Sequence, residues 1–346
     1  MKFVCTHNRV VEVGKYWCHN CDHGCPANQL SAIFDAGEKF DAFEIKQIMR
    51  IFATCVLYRA QRGKETVLIK IAHRGYEDAL KRESKMLSQF PVDAGVPILL
   101  PGVEQSPYSK FTIRDETKYY AIYRNVPGKF LDDMLWDNAR PERKFAGWLI
   151  LGVTETVSRL HVQGKATPIN PTPSNIMVQI DKKGIGRTTL VDMTSAFLPP
   201  DWPRTFGVPA YLTPEQLRGE PASSTTDVYA LGLLLYELLT GQPAYSVKAQ
   251  QDSEVRAMVL NSPPPVLNLP ELSPKLVNLV AHSISKNPAQ RPPNVREFAK
   301  TLHELFGVVP PPGRRLVIDP RIVIVAVLIV IVLLLVMVVL LSAQTG

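Results

Sequence analysis

The sequence predicts an α+β chain of two lobes, a small β-rich one followed by a larger helical one. A small cysteine-rich leader precedes them and one long apolar helix follows. Three observations carry this reading. Residues 43–126 alternate strand-like apolar runs with a lone helical stretch. From LILGVTETVSRLHVQG onward the long periodic segments are helical. Ile322–Leu341 then runs through 20 consecutive apolar residues with no charge and no proline. With 346 residues, 46% of them hydrophobic, the chain can bury a sizeable core and is too apolar to be mainly disordered. Its formal net charge of +7 suits either nucleic acid or an anionic membrane and selects neither.

The leader, residues 1–30, holds Cys5, Cys18, Cys21 and Cys25 with His7, His19 and His23 among them. In a reducing compartment such crowding favours a metal over disulfides, and Zn2+ suits four thiolate or imidazole ligands in a tetrahedron. Cys18 and Cys21 make a good knuckle, whereas the mate formed by Cys5 and Cys25 is irregular, so His7 or His23 competes for the fourth place. A zinc-ribbon-like segment is the expectation; a loose, redox-sensitive leader is the plain alternative.

In the first lobe, IMRIFATCVLYRAQRGKETVLIKIA holds two β-rich runs joined at the turn signal QRGKE, a hairpin. EDALKRESKMLSQF reads as a helix and KYYAIYRNV as a further strand ending at PGK. In the second lobe, DVYALGLLLYELLTG is apolar around nearly its whole circumference, as a buried central helix would be. Another helix begins near Ser273 with Pro274 in its first turn, and NVREFAKTLHELF closes the domain.

The tail reads as a Pro- and Arg-rich linker, 308–321, a membrane helix, 322–341, and a five-residue end, 342–346. At about 1.5 Å per residue the helix would be roughly 30 Å long, the thickness of a bilayer core. Arg314, Arg315 and Arg321 on its N-terminal side, with no signal-peptide run at the front, predict a single-pass protein of the cell membrane with its main domain in the cytoplasm. Basic residues are scattered without interleaved aromatics, which argues against nucleic acid. The expected partners are the bilayer and another signalling or membrane protein.

Between helix and strand stands TPINPTPSNIMV, a stiff polar loop with no acid. PSNIMV, LVDMT, FGVPAYLTPEQ, TTDVYALGLLLYELLTGQPAY and NPAQRPP follow in order, and these residues resemble the protein kinase family over about residues 43–307. The resemblance implies the two-lobed protein kinase-like fold. It makes Lys70 the lysine for the ATP phosphates, Glu83 its ion-pair partner, Asn175 and Asp192 the magnesium ligands, and Glu215 with Arg291 a structural bridge. Asp227 and Gly232 match the residues that open the central helix.

The same resemblance exposes departures. The proton acceptor, five residues before Asn175, is Asn170, and an amide lacks the basicity of a carboxylate. Pro168 and Ile169 replace the preceding histidine and arginine, Thr172 replaces a lysine, and Val208 replaces a threonine. Arg50, Phe52 and Cys55 stand at the positions of the Gly-rich loop, and Leu57 and Leu68 narrow the adenine side. Two functions follow as expectations. The first is a membrane-anchored, pseudokinase-like signalling or scaffold protein, weak in ATP and Mg2+ if it binds them. The second is an active but atypical serine/threonine kinase that relies on positioning and charge alone. In a third reading the zinc leader is the functional end and the kinase-like fold a spacer.

Overall fold

The computed structural model of the protein describes residues 2–4, 10–12, 31–91, 94–102, 105–113, 116–180, 186–198, 208–245 and 252–307. Strands β1 (Lys2–Val4), β2 (Val10–Glu12) and β3 (Ser31–Ile33) pair in the antiparallel order β2-β1-β3. The small lobe is built on a second antiparallel sheet. Its path runs β4 (Lys39–Phe40), β5 (Phe43–Ile51), β6 (Cys55–Arg62) and β7 (Glu65–Ala72), then β10 (Glu116–Arg124) and β8 (Leu99–Leu100), with β9 (Ser109–Ile113) on β10. Helix α1 (Glu77–Leu87) packs against it.

Strand periodicity sorts the side chains of this sheet onto two faces. Cys55, Leu57, Leu68, Ala72, Ala121 and Tyr123 turn to the face that continues into the large lobe. Val56, Tyr58, Val67, Ile69, Tyr120 and Ile122 turn outward into a second core. That outer face is covered by Phe34, Phe40, Phe43 and Phe111; the Phe40 and Phe111 ring centroids are 4.5 Å apart. The backbone amide of Phe34 donates to the Tyr58 hydroxyl at 3.1 Å, which ties the segment before β4 to the sheet.

The large lobe opens with β11 (Lys129–Phe130), α2 (Leu131–Asp137) and α3 (Arg143–Val162). The antiparallel trio β11-β12-β13 is completed by β12 (Ile176–Ile180) and β13 (Gly186–Leu190). There follow α4 (Pro214–Leu217), α5 (Ser224–Thr240), α6 (Asp252–Asn261), α7 (Pro274–Ser283) and α8 (Val295–Phe306). Helix α5 is buried as its all-round apolar sequence requires, is capped by Ser223 at Thr225, and ends at Gly241 with φ 75°. At Gly232 an added Cβ would lie 2.6 Å from the Ser283 Cβ, so glycine is what lets α7 approach. Ser273 caps α7 and Pro274 opens it; Asn294 caps α8.

Two expectations are corrected here. Among the described residues no three or more His, Cys, Asp or Glu side chains converge as a metal would need, and Cys5, Cys18, Cys21 and Cys25 lie outside those residues. The zinc ribbon and Zn2+ therefore have no support and are withdrawn. No helix among the described residues is long and apolar enough to cross a membrane. Helix α3 has 20 residues but carries Arg143, Lys144, Glu155 and Arg159, and the apolar α5 has only 17. Residues 322–341 lie outside the described set, and membrane anchoring, the bilayer partner and single-pass topology are not carried forward.

Candidate active site in the interlobe cleft

Lys70, at the centre of β7, is paired in register with Leu57 on one side and Ala121 on the other, and Leu68 with Tyr123. Its ammonium lies 2.8 and 2.9 Å from the two Glu83 carboxylate oxygens and 3.0 Å from Asp192 Oδ1. Helix α1 brings in Glu83; the stretch after β13 brings in Asp192. Burial works against the Lys70 charge, but Glu83 and Asp192 hold its ammonium well above the ordinary lysine range. Burial likewise opposes ionisation of Asp192, and Lys70 with the Thr194 hydroxyl holds it below the usual carboxylate range. Burial pushes the Glu83 carboxyl up, against the pull of Lys70.

Thr194, two residues beyond Asp192, closes the network. Its hydroxyl stands 2.7 Å from Asp192 Oδ1 and 3.1 Å from Glu83 Oε2, while the Met193 amide donates to Glu83 Oε1 at 2.9 Å. The Cys55 thiol lies 3.5 Å from Asp192 Oδ1 and stays protonated, because burial and the Asp192 charge raise its pKa well above normal.

Asn170 sits in the left-handed region, φ 53°, which asparagine tolerates. Its amide and that of Ile169 donate to the buried Asp227 carboxylate at 2.7 and 2.9 Å, and His161 Nε2 lies 2.6 Å from Asp227 Oδ2. Asp227 thus holds the loop by its backbone although the loop lacks an acid. The side-chain oxygen of Asn170 accepts from Gln216 Nε2 at 3.1 Å, and Gln216 Oε1 in turn accepts from the Thr213 amide at 3.0 Å. Asn175 is similarly committed: its Oδ1 accepts from the Thr172 amide at 2.9 Å, and its Nδ2 donates to the carbonyls of Asn170 and Asp192 at 3.2 and 3.3 Å.

Lys70, Glu83, Asn175 and Asp192 are therefore brought together, with Asn170 at the edge of the same network. The kinase fold makes Mg-ATP the ligand to test against these residues, and their surroundings do not fit it. Lys70 and Glu83 are 0% exposed, Asn175 7% and Asp192 8%. Leu57 and Leu68, on the adenine side by the resemblance, belong with Ala121, Tyr123, Met177, Phe52 and Phe130 to one buried core cluster shared by both lobes. Lys70 is thus walled in by apolar groups, and the oxygen of Asn175 that would meet Mg2+ accepts from the Thr172 amide at 2.9 Å.

Sequence reasoning missed Gln216 as part of this site, and missed the partners that Thr194 and Arg50 take there. Thr194 stands in VDMT two residues from Asp192, but its bond to Glu83 joins residues 111 apart. Gln216 and Asn170 are 46 residues apart and Arg50 and Asp132 are 82 apart, so only the fold joins them.

Comparison with known proteins bears on the fold. Serine/threonine-protein kinase pkn3 of Myxococcus xanthus is 34% identical over 98 residues, which is 28% of this chain and 18% of that protein. A probable serine/threonine-protein kinase of Corynebacterium efficiens is 30% identical over 196 residues, 54% of this chain and 29% of that protein. Serine/threonine-protein kinase PknD of Chlamydia trachomatis is 39% identical over 98 residues, 28% of this chain and 10% of that protein. The chain thus spans less than a third of the length of these relatives. The profile of the protein kinase domain matches residues 108–304, more than half of the 346, and the chain belongs to the protein kinase domain family.

Proposed function

We propose that the chain is a non-catalytic kinase-fold module that acts in signalling or scaffolding by binding other proteins. The observation that carries this reading is the Asn170 side chain, an amide where the proton acceptor belongs, with its oxygen already taken by Gln216 at 3.1 Å. Phosphoryl transfer to a hydroxyl needs an acceptor poised on the incoming oxygen and a nucleotide held against lysine and metal. The engaged amide of Asn170 supports the loss of the first of these, and the burial of Lys70 and Asp192 supports the loss of the second.

A second reading, an atypical active serine/threonine kinase, draws on the Lys70–Glu83 pair at 2.8 Å, the arrangement that phosphate positioning calls for, and on the names of the relatives. A radiolabel transfer assay with Mg-ATP and a generic protein acceptor separates the two. Wild-type protein is expected to label nothing above the background of Asp192→Asn. Turnover well above that background, abolished by Asp192→Asn, would establish the second reading and remove the first.

A further inference from the structure

All three positions that align with the Gly-rich loop carry side chains; those of Arg50 and Cys55 reach residues of the large lobe, and that of Phe52 is buried between them. Arg50 leaves the end of β5 and reaches α2, where its Nη2 lies 2.8 Å from Asp132 Oδ1 and 3.5 Å from Asp133 Oδ2. Its guanidinium carbon stands 4.2 Å from the centroid of the Phe130 ring. Phe52, at the turn, is 8% exposed and joins the core that runs through both lobes. Cys55 opens β6 and directs its thiol at Asp192.

The turn itself is pinned. The Phe52 amide donates to the Cys55 carbonyl at 2.8 Å, and the buried His73 ring Nε2 lies 3.0 Å from the Phe52 carbonyl, which fixes that nitrogen as the donor. The His73 amide donates to the Thr54 carbonyl at 2.9 Å. Glycine at these positions would leave a mobile loop with room beneath it for phosphates. Here the loop is short, hydrogen-bonded and filled from within.

We propose that Arg50, Phe52 and Cys55 take the place of a nucleotide, holding the two lobes closed as a permanent, ligand-independent unit. The ordinary task of Mg-ATP in joining the lobes passes to the chain's own residues: Arg50 on Asp132 at the front, Phe52 in the middle, and Cys55 with Lys70 on Asp192 at the back. A consequence is that the surface offered to partners does not change with nucleotide concentration.

This stands apart from the loss of the proton acceptor. A chain that binds Mg-ATP yet transfers no phosphate would overturn the closure and leave the non-catalytic reading in place.

The test is a thermal melt of the full chain with and without millimolar Mg-ATP, together with hydrogen exchange followed by mass spectrometry. Residues 50–57 and 192–198 are expected to exchange equally slowly in both conditions, and the wild-type Tm to stay unchanged. A ligand held at about 100 times its Kd would instead raise Tm by several degrees. The double variant Arg50→Gly/Phe52→Gly is expected to lower Tm by roughly 5 °C or more, since it empties a packed position. A rise in wild-type Tm with Mg-ATP, faster exchange of these segments that nucleotide suppresses, or a double variant that melts like wild type would each overturn the proposal. Should the double variant not fold, Phe52→Leu with Arg50→Gln serves as the gentler pair, and the wild-type exchange data decide independently.

Discussion

The base of the large lobe and the interlobe cleft have taken opposite courses. At the base the family's polar residues do what they do for shape: Arg291 bonds Glu215 at 2.6 and 2.9 Å, and the buried Asp227 gathers the amides of Ile169 and Asn170. In the cleft the same kind of polar residue is retained, but its hydrogen bonds now end on other protein groups. The contrast teaches that a kinase fold rests on contacts separable from those that move a phosphate. Asp227 can hold a catalytic loop that has no acid, because it binds the loop by backbone N–H.

The strongest way to break this contrast is at the base. Glu215 and Arg291 are both almost fully buried, and burial of Glu215 is outweighed by Arg291, which keeps its carboxyl below the usual range. Arg291→Met strands the Glu215 charge and should cost about 3–5 kcal/mol in a urea melt, whereas Glu215→Leu combined with Arg291→Met should recover much of the loss. An Arg291→Met protein as stable as wild type would refute a structural role for the pair.

A smaller effect is expected at the pinned turn. Burial pushes the His73 pKa from 6.5 down to about 4, with Lys118 adding to the shift and the Phe52 carbonyl and Asp192 opposing it. The unfolded chain therefore binds the proton first, so stability falls as pH drops through 6.5 and levels off below about 4. Between pH 7.5 and 5 this is worth roughly 2 kcal/mol, and His73→Asn should flatten the pH slope by that amount. Equal slopes in the two proteins would show that His73 is not held neutral.

At the front of the cleft, Arg50 and Asp132 are partly exposed, so Arg50→Gln alone should cost about 1 kcal/mol or less. A much larger loss would mean that Arg50 carries the closure nearly alone.

Most of the architecture was legible in the sequence. The QRGKE turn lies between β6 and β7, Ser273 caps α7, and the all-round apolar run from Asp227 is the buried α5. Local chemistry dictates each of these, since a turn residue or a cap acts within a few positions. Lys70, Glu83, Asn175 and Asp192 were also legible, because their order in the chain carried the resemblance that placed them. The two-residue strands β4 and β8 were not read, since they lack a period to read, and neither were the five-residue β9 and the aromatic cover over Tyr58 and Tyr120. The partners of Arg50 and Asn170 escaped for a different reason. Sequence could say what those residues are not, a glycine and an aspartate, but only tertiary placement shows what they hold.

The proposed non-catalytic reading holds that phosphate transfer is lost on both sides of the cleft, at the acceptor and at the nucleotide. Phosphate transfer by Asn170→Asp from labelled ATP, compared with wild type and with the same variant carrying Asp192→Asn, tests it most directly. Asn170→Asp is expected to stay at background, because a restored carboxylate would still face the cleft that Arg50 and Phe52 are proposed to close. Labelling by Asn170→Asp that Asp192→Asn abolishes would contradict that reading, for then one atom of difference at residue 170 would be all that separates this chain from an active kinase.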